Sequence, residues 1–155
     1  MVKCNLNIDQ LFDSVAKECG IKTIVRTTRD FIEAQCGLLI KEECPVLLIE
    51  LTRVPVTALN YGQLSESFDI YIFTLEMEKD RLILDGDLRQ LMVDYTLKLN
   101  SLREKIRKYG VNITYTNMIE GQNAISRWAL DRMNYGVSAT MTINYDKRRQ
   151  YTRCS

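Results

Sequence analysis

Four residues in the stretch DIYIFTLEMEKD, namely Asp69, Glu76, Glu78 and Lys79, are of the types a metal-dependent nuclease uses, carboxylates for the ion and a lysine beside them. Their spacing does not serve that chemistry, because Met77 stands two before Lys79 where a Glu-x-Lys step needs a carboxylate. The ends of a strand and its turn account for these charges. Asp85, Gly86 and Asp87 begin like a calcium loop, but LRQLMV follows where further oxygen ligands are needed, so helix capping explains both aspartates. Cys36 and Cys44 could act as nucleophiles only beside a base, and the chain contains no histidine. The same absence removes Ser-His-Asp triads, His-ligated metals and imidazole proton shuttles. The seven glycines are scattered singly, with neither GxGxxG nor a P-loop to cradle phosphate. The expectation is a protein that is not an enzyme, with no catalytic residues, no cofactor and no metal.

Other residues suit contact rather than catalysis. Arg127, Trp128 and Arg132, with Tyr135 nearby, could stack on bases or on a protein partner, since aromatic and arginine side chains dominate both kinds of contact; a core tryptophan beside surface arginines is the alternative. Lys147, Arg148, Arg149 and Arg153 gather with Tyr151 at the end of the sequence, either as a frayed terminus or as an arm that docks on a neighbour or points at phosphates. The net charge of +1 confines any attraction to nucleic acid or acidic lipid to such local patches.

A chain of 155 residues with 46% apolar and 26% charged residues fits one soluble domain, here residues 1–146, followed by a basic tail at 147–155. No stretch approaches the ~18 to 20 apolar residues of a membrane helix, and Asn5, Asn7 and Asp9 interrupt what a secretory leader would need. The five cysteines lack CxxC spacing and read as free thiols of a reducing compartment.

The elements follow from periodicity. Ile8, Leu11, Phe12, Val15, Ala16 and Cys19 share one helical face and predict a helix over 8–19, with Asn7 and Gln10 as a capping box and Gly20 as its stop. IKTIVRTT reads as a strand and RDFIEAQCG as one or two helical turns. PVLLIELTRV reads as a strand covered on both faces. The long connection PVTALNYGQLSE, containing Tyr61 and Gly62, is a candidate contact loop. In SFDIYIFTLEME, Phe68, Ile70 and Ile72 face one way and Tyr71, Phe73 and Leu75 the other. Leu88, Met92, Tyr95, Leu99, Leu102 and Ile106 predict a long helix over 87–109. VNITYTNMIEG sets Val111, Ile113 and Tyr115 inward against Asn112, Thr114 and Thr116. Residues 135–146 set Tyr135, Val137, Ala139, Met141, Ile143 and Tyr145 against Gly136, Ser138, Thr140, Thr142 and Asn144, so these two strands form an antiparallel pair. The fold class is α+β, a mixed or antiparallel sheet with two main helices packed on one face.

This order, with VLLIELTRV, SFDIYIFTLEM, one long helix and a final GVSATMTINY, resembles the tail-terminator and tail-completion proteins of tailed bacteriophages. The resemblance implies a structural virion protein assembled in the bacterial host cytoplasm. It would form a homo-oligomeric ring of six or twelve subunits at the head-tail junction. Such a neck ring caps the tail tube, joins it to connector or portal-associated proteins, meets no membrane and surrounds a channel that can carry DNA. By the same analogy, contacts fall at Tyr61, Gly62, Thr114, Thr116, Thr140, Thr142 and the basic tail. The segment TTRDFIEAQCGLLIKEEC is an insertion relative to small members of that family. The alternative function is a small nucleic-acid-binding module using Arg127, Trp128, Arg132 and the tail. Loss of residues 147–155 is expected to weaken assembly or docking while leaving the fold intact.

Overall fold

A computed structural model describes residues 3–51, 57–60, 62–75, 85–122 and 134–154. Strand β1 (Lys3–Leu6) leads into helix α1 (Ile8–Glu18). Asn7 caps that helix: its side-chain oxygen accepts from the Gln10 amide at 2.8 Å while Gln10 Oε1 accepts from the Asn7 amide at 3.0 Å. This is the reciprocal capping the sequence predicts. Strand β2 (Thr23–Thr27), a short helical crossover containing α2 (Ile32–Cys36), and strand β3 (Val46–Glu50) come next. Strands β4 (Thr57–Asn60) and β5 (Gln63–Leu75) form a hairpin, followed by helix α3 (Asp85–Arg107). Strands β6 (Asn112–Gln122), β7 (Asn134–Asp146) and β8 (Tyr151–Cys154) complete the order.

The main sheet is six-stranded in the order β2-β3-β5-β7-β6, with β4 also on β5. The β2 and β3 pair is parallel and the other pairs are antiparallel. The sheet is therefore mixed, and the fold is α+β. Helices α1 and α3 bury Leu11, Phe12, Val15, Leu99, Leu102 and Ile106 against Leu47, Ile49, Ile70, Ile72, Val137 and Met141 of the front face. Tyr115 fastens β6 to α3 by donating its hydroxyl to the Leu99 carbonyl at 2.8 Å. At the centre, β7 comes so close to β5 that a Cβ on Gly136 would stand 2.0 Å from the Ile72 carbonyl oxygen. Only glycine fits there.

Most of TTRDFIEAQCGLLIKEEC forms the crossover that a parallel β2 and β3 pair requires. It lies on the back of the sheet, where Ile32, Cys36, Leu39 and Cys44 pack on Val46, Leu48, Tyr71, Phe73 and Leu75. Arg29 fastens it there, its Nε 3.0 Å from Oε1 of Glu50, a carboxylate of which only 6% of the residue surface is exposed. Within PVLLIELTRV, strand β3 is accordingly covered on both faces: all of Val46–Glu50 is buried, whereas Leu51 just beyond it is exposed.

Two expectations are corrected. Thr57–Asn60, read as part of a loop, is strand β4, which pairs with the beginning of β5. Residues 147–155, read as a separate tail, contain β8, which pairs antiparallel with β1 from Lys3 opposite Cys154 to Leu6 opposite Tyr151. Tyr151 is 2% exposed and belongs to the front core. The tail is neither a frayed end nor a free arm, because burying this ring and completing the small sheet outweigh the freedom lost.

Candidate assembly surface

The back of the sheet changes character along strands β5 and β7. On β5, Tyr71, Phe73 and Leu75 lie under the crossover, while Ser65, Ser67 and Asp69, of the same strand parity, lie beyond it. Strand register sets this second group in rows: Ser65 beside Asn144 and Asn112, Ser67 beside Thr142 and Thr114, Asp69 beside Thr140 and Thr116. Thr114 and Thr116 are exposed, and Thr140 and Thr142 are half-buried within the middle strand. Ser67 Oγ and Thr142 Oγ1 share a hydrogen bond of 2.9 Å, and Thr140 donates to Asp69 Oδ1 at 3.3 Å. The sequence places these four threonines on one face, and the register makes them neighbours.

This surface can hydrogen-bond to a partner without costly desolvation, because most of its groups are neutral hydroxyls and amides. Past Thr116 the β6 and β7 register shifts, Asn117 takes a left-handed conformation with φ of 53°, and Met118 and Ile119 become exposed. Asparagine tolerates that backbone region better than most residues. Asp69, weighed as a metal ligand, is a hydrogen-bonding member of this polar array.

The basic residues separate into two groups. The Lys147 amide donates to the Gly62 carbonyl at 2.9 Å, and Arg148 pairs with Asp146 at 3.5 Å. Gly62 has φ of +74°, and a Cβ there would meet Arg148 Nε at 2.3 Å, so its lack of a side chain makes room for the arginine. Lys147, Arg148 and Gly62 thus lie together at one end of the sheet. Arg149 lies over the Tyr151 ring at 5.3 Å, and Arg153 lies over the Tyr109 ring at 5.8 Å while donating to Glu18 Oε2 at 3.0 Å. The Arg153 guanidinium, first by its hydrogen bond and then by its charge, holds the Glu18 carboxyl below its ordinary range. Arg153 thereby fastens β8 to the end of α1 and to Tyr109 just past α3, while Arg149 covers the β8 ring of Tyr151. Tyr61, Arg127, Trp128 and Arg132 lie outside the described residues, as do Glu76, Glu78 and Lys79.

Sequence reasoning missed the clasp that β1 and β8 make. Its one visible signal is Tyr151, an aromatic residue among charges. Comparison with models of known protein families finds no match to this chain, and comparison with curated proteins finds none either.

Proposed function

We propose that this protein is a structural subunit of a tailed-bacteriophage virion, a ring-forming neck protein of the tail-terminator kind that caps the tail tube and joins it to the connector. The observation that carries this reading is the open array of Thr114, Thr116, Thr140 and Thr142 beside a covered half of the same sheet face. A finished β-sheet that leaves a mostly neutral, hydrogen-bonding surface, its carboxylate Asp69 already accepting from Thr140, offers a neighbouring subunit broad contact with little charge to bury. The element order supports the same reading, with an amphipathic helix directly after the short β1, one long helix before β6 and β7, and the crossover as an added layer. In a ring, the exposed Lys147 is the residue of the closing segment that would meet a neighbour or DNA in the channel, since Arg148 pairs with Asp146 and Arg149 and Arg153 serve the subunit's own fold.

Native mass spectrometry of the purified chain, followed by negative-stain microscopy with isolated tail tubes, tests the proposal. The expected result is a closed ring of six or twelve copies that seats on tube ends. A monomer in both settings overturns it.

A further inference from the structure

At the open end of the front helix layer, a cavity of about 160 Å³ lies between α1 and the sheet. Its size matches an engineered apolar cavity of roughly 150 Å³ that takes up benzene, so it has room for a short carbon chain. Phe12, Ile49, Phe68, Met141 and Ile143 form apolar walls. Ile8 and Leu51 add to these walls, and the charged or polar lining is Asp9 from α1, Arg26 from β2, Glu66 from β5 and Tyr145 from β7.

These charges are not balanced. Arg26 is committed to Asp13, donating from Nη1 to Oδ2 at 3.0 Å with Nη2 2.6 Å from Oδ1, and it lies over the Phe12 ring at 5.5 Å. Asp9 reaches the same guanidinium only at 3.9 Å. Glu66 accepts a hydrogen bond from the Tyr145 hydroxyl. That phenol is held protonated, first by burial and then by the negative charges of Glu66 and Asp9, which both bear on it. Among the described residues, one cation, already satisfied, thus stands against Asp13, Asp9 and Glu66. The surplus negative charge lies where the apolar walls open.

We infer that this cleft is a binding site for a primary alkylammonium group, with the carbon chain against Phe68, Met141 and Ile143 and the ammonium beside Glu66 and Asp9. An anion meets two carboxylates there, and a neutral chain leaves their charge unanswered. The inference is independent of ring assembly. The ammonium can belong to a free diamine or to a lysine side chain, and both offer the same chain and charge.

The test is methyl NMR of the full chain, following the Met141 and Ile143 signals during titration with n-pentylammonium, n-pentanol and pentanoate. Saturable shifts with pentylammonium are expected, with pentanol at least about tenfold weaker and pentanoate without a saturable effect. Glu66→Gln should weaken pentylammonium about tenfold and the exposed Asp9→Asn about threefold, with far-UV circular dichroism unchanged. Cadaverine binding more tightly than N-acetyl-lysine methylamide supports the site with a free diamine as ligand, and the reverse order supports it with a lysine side chain. Equal binding of pentanol and pentylammonium, full affinity in both variants, or no saturable shift with any compound overturns the inference.

Discussion

Two halves of one sheet face, built on the same strands, are finished in opposite ways. Along β5 the back-facing positions run Ser65, Ser67, Asp69 and then Tyr71, Phe73, Leu75, and the change comes where the crossover begins to cover the strand. The covered half stacks Tyr71 on Phe73 with ring centroids 4.9 Å apart and seals them under Ile32, Cys36 and Leu39. The open half keeps small hydroxyl and amide groups, of which the Ser67, Thr140 and Thr142 hydroxyls bond across the strands. Stability is thereby concentrated in one half, leaving the other able to change with little effect on the fold. A residue's neighbours across the layer, and not the strand it belongs to, decide which role it has.

The comparison is tested most severely in the covered half. Phe73→Ala removes a fully buried ring from between the crossover and the sheet and should cost about 3–5 kcal/mol, read as a lower urea midpoint. A cost below about 1 kcal/mol would mean that the crossover does not form a core there. Tyr151→Ala should cost about 3 kcal/mol by the same argument, because its ring is buried in the front core. Removal of residues 147–155 should likewise destabilise the chain, the reverse of what a dispensable tail would show. The check is calorimetric, with the melting temperatures of both changed chains set against the parent.

Titration gives a smaller effect of defined sign. Burial pushes the Cys36 thiol up to about 11 from an ordinary 9.0, and burial likewise pushes the Tyr71 hydroxyl above its ordinary range. The unfolded chain loses these protons at lower pH than the folded one. The stability they contribute is therefore fully present below about pH 9 and falls as pH rises toward 11. Urea midpoints measured at intervals from pH 8 to 11 should decline over that window in the parent and decline less in Cys36→Ala. Thiol labelling at pH 8 should modify the exposed Cys4 quickly and the buried Cys36 only on unfolding.

Much of this division is legible in the sequence. Alternation separates Phe68, Ile70 and Ile72 from Tyr71, Phe73 and Leu75, and it places Thr114, Thr116, Thr140 and Thr142 on one polar side. The Asn7 and Gln10 pair fixes the start of α1, and the Leu99, Leu102 and Ile106 stripe identifies α3. What was not legible depends on partners far apart in the chain. The four residues of β8 carry no period long enough to detect, and they become a strand only when β1 lies beside them. Arg153 reads as surplus charge until Glu18 and Tyr109 are seen next to it. The crossover's place in the core is not visible in the sequence, because its cover for Leu48 and Phe73 is a matter of layers, which local spacing does not encode. The cation cleft is hidden for the same reason, since Asp9, Arg26, Glu66 and Tyr145 come from four separate elements.

The smallest expected change in stability accompanies the largest expected change in behaviour. Thr142→Arg places a long charged side chain in the middle row of the open face, beside Ser67 and Thr114. Native mass spectrometry of this variant, run alongside its urea unfolding curve, tests most directly the claim that the open half is the assembly surface. The account predicts a closed ring for the parent and a monomer for the variant that still unfolds cooperatively, its subunit fold weakened by only about 1 kcal/mol through loss of the Ser67 hydrogen bond. A variant that still forms the ring, or a parent that never does, would contradict it.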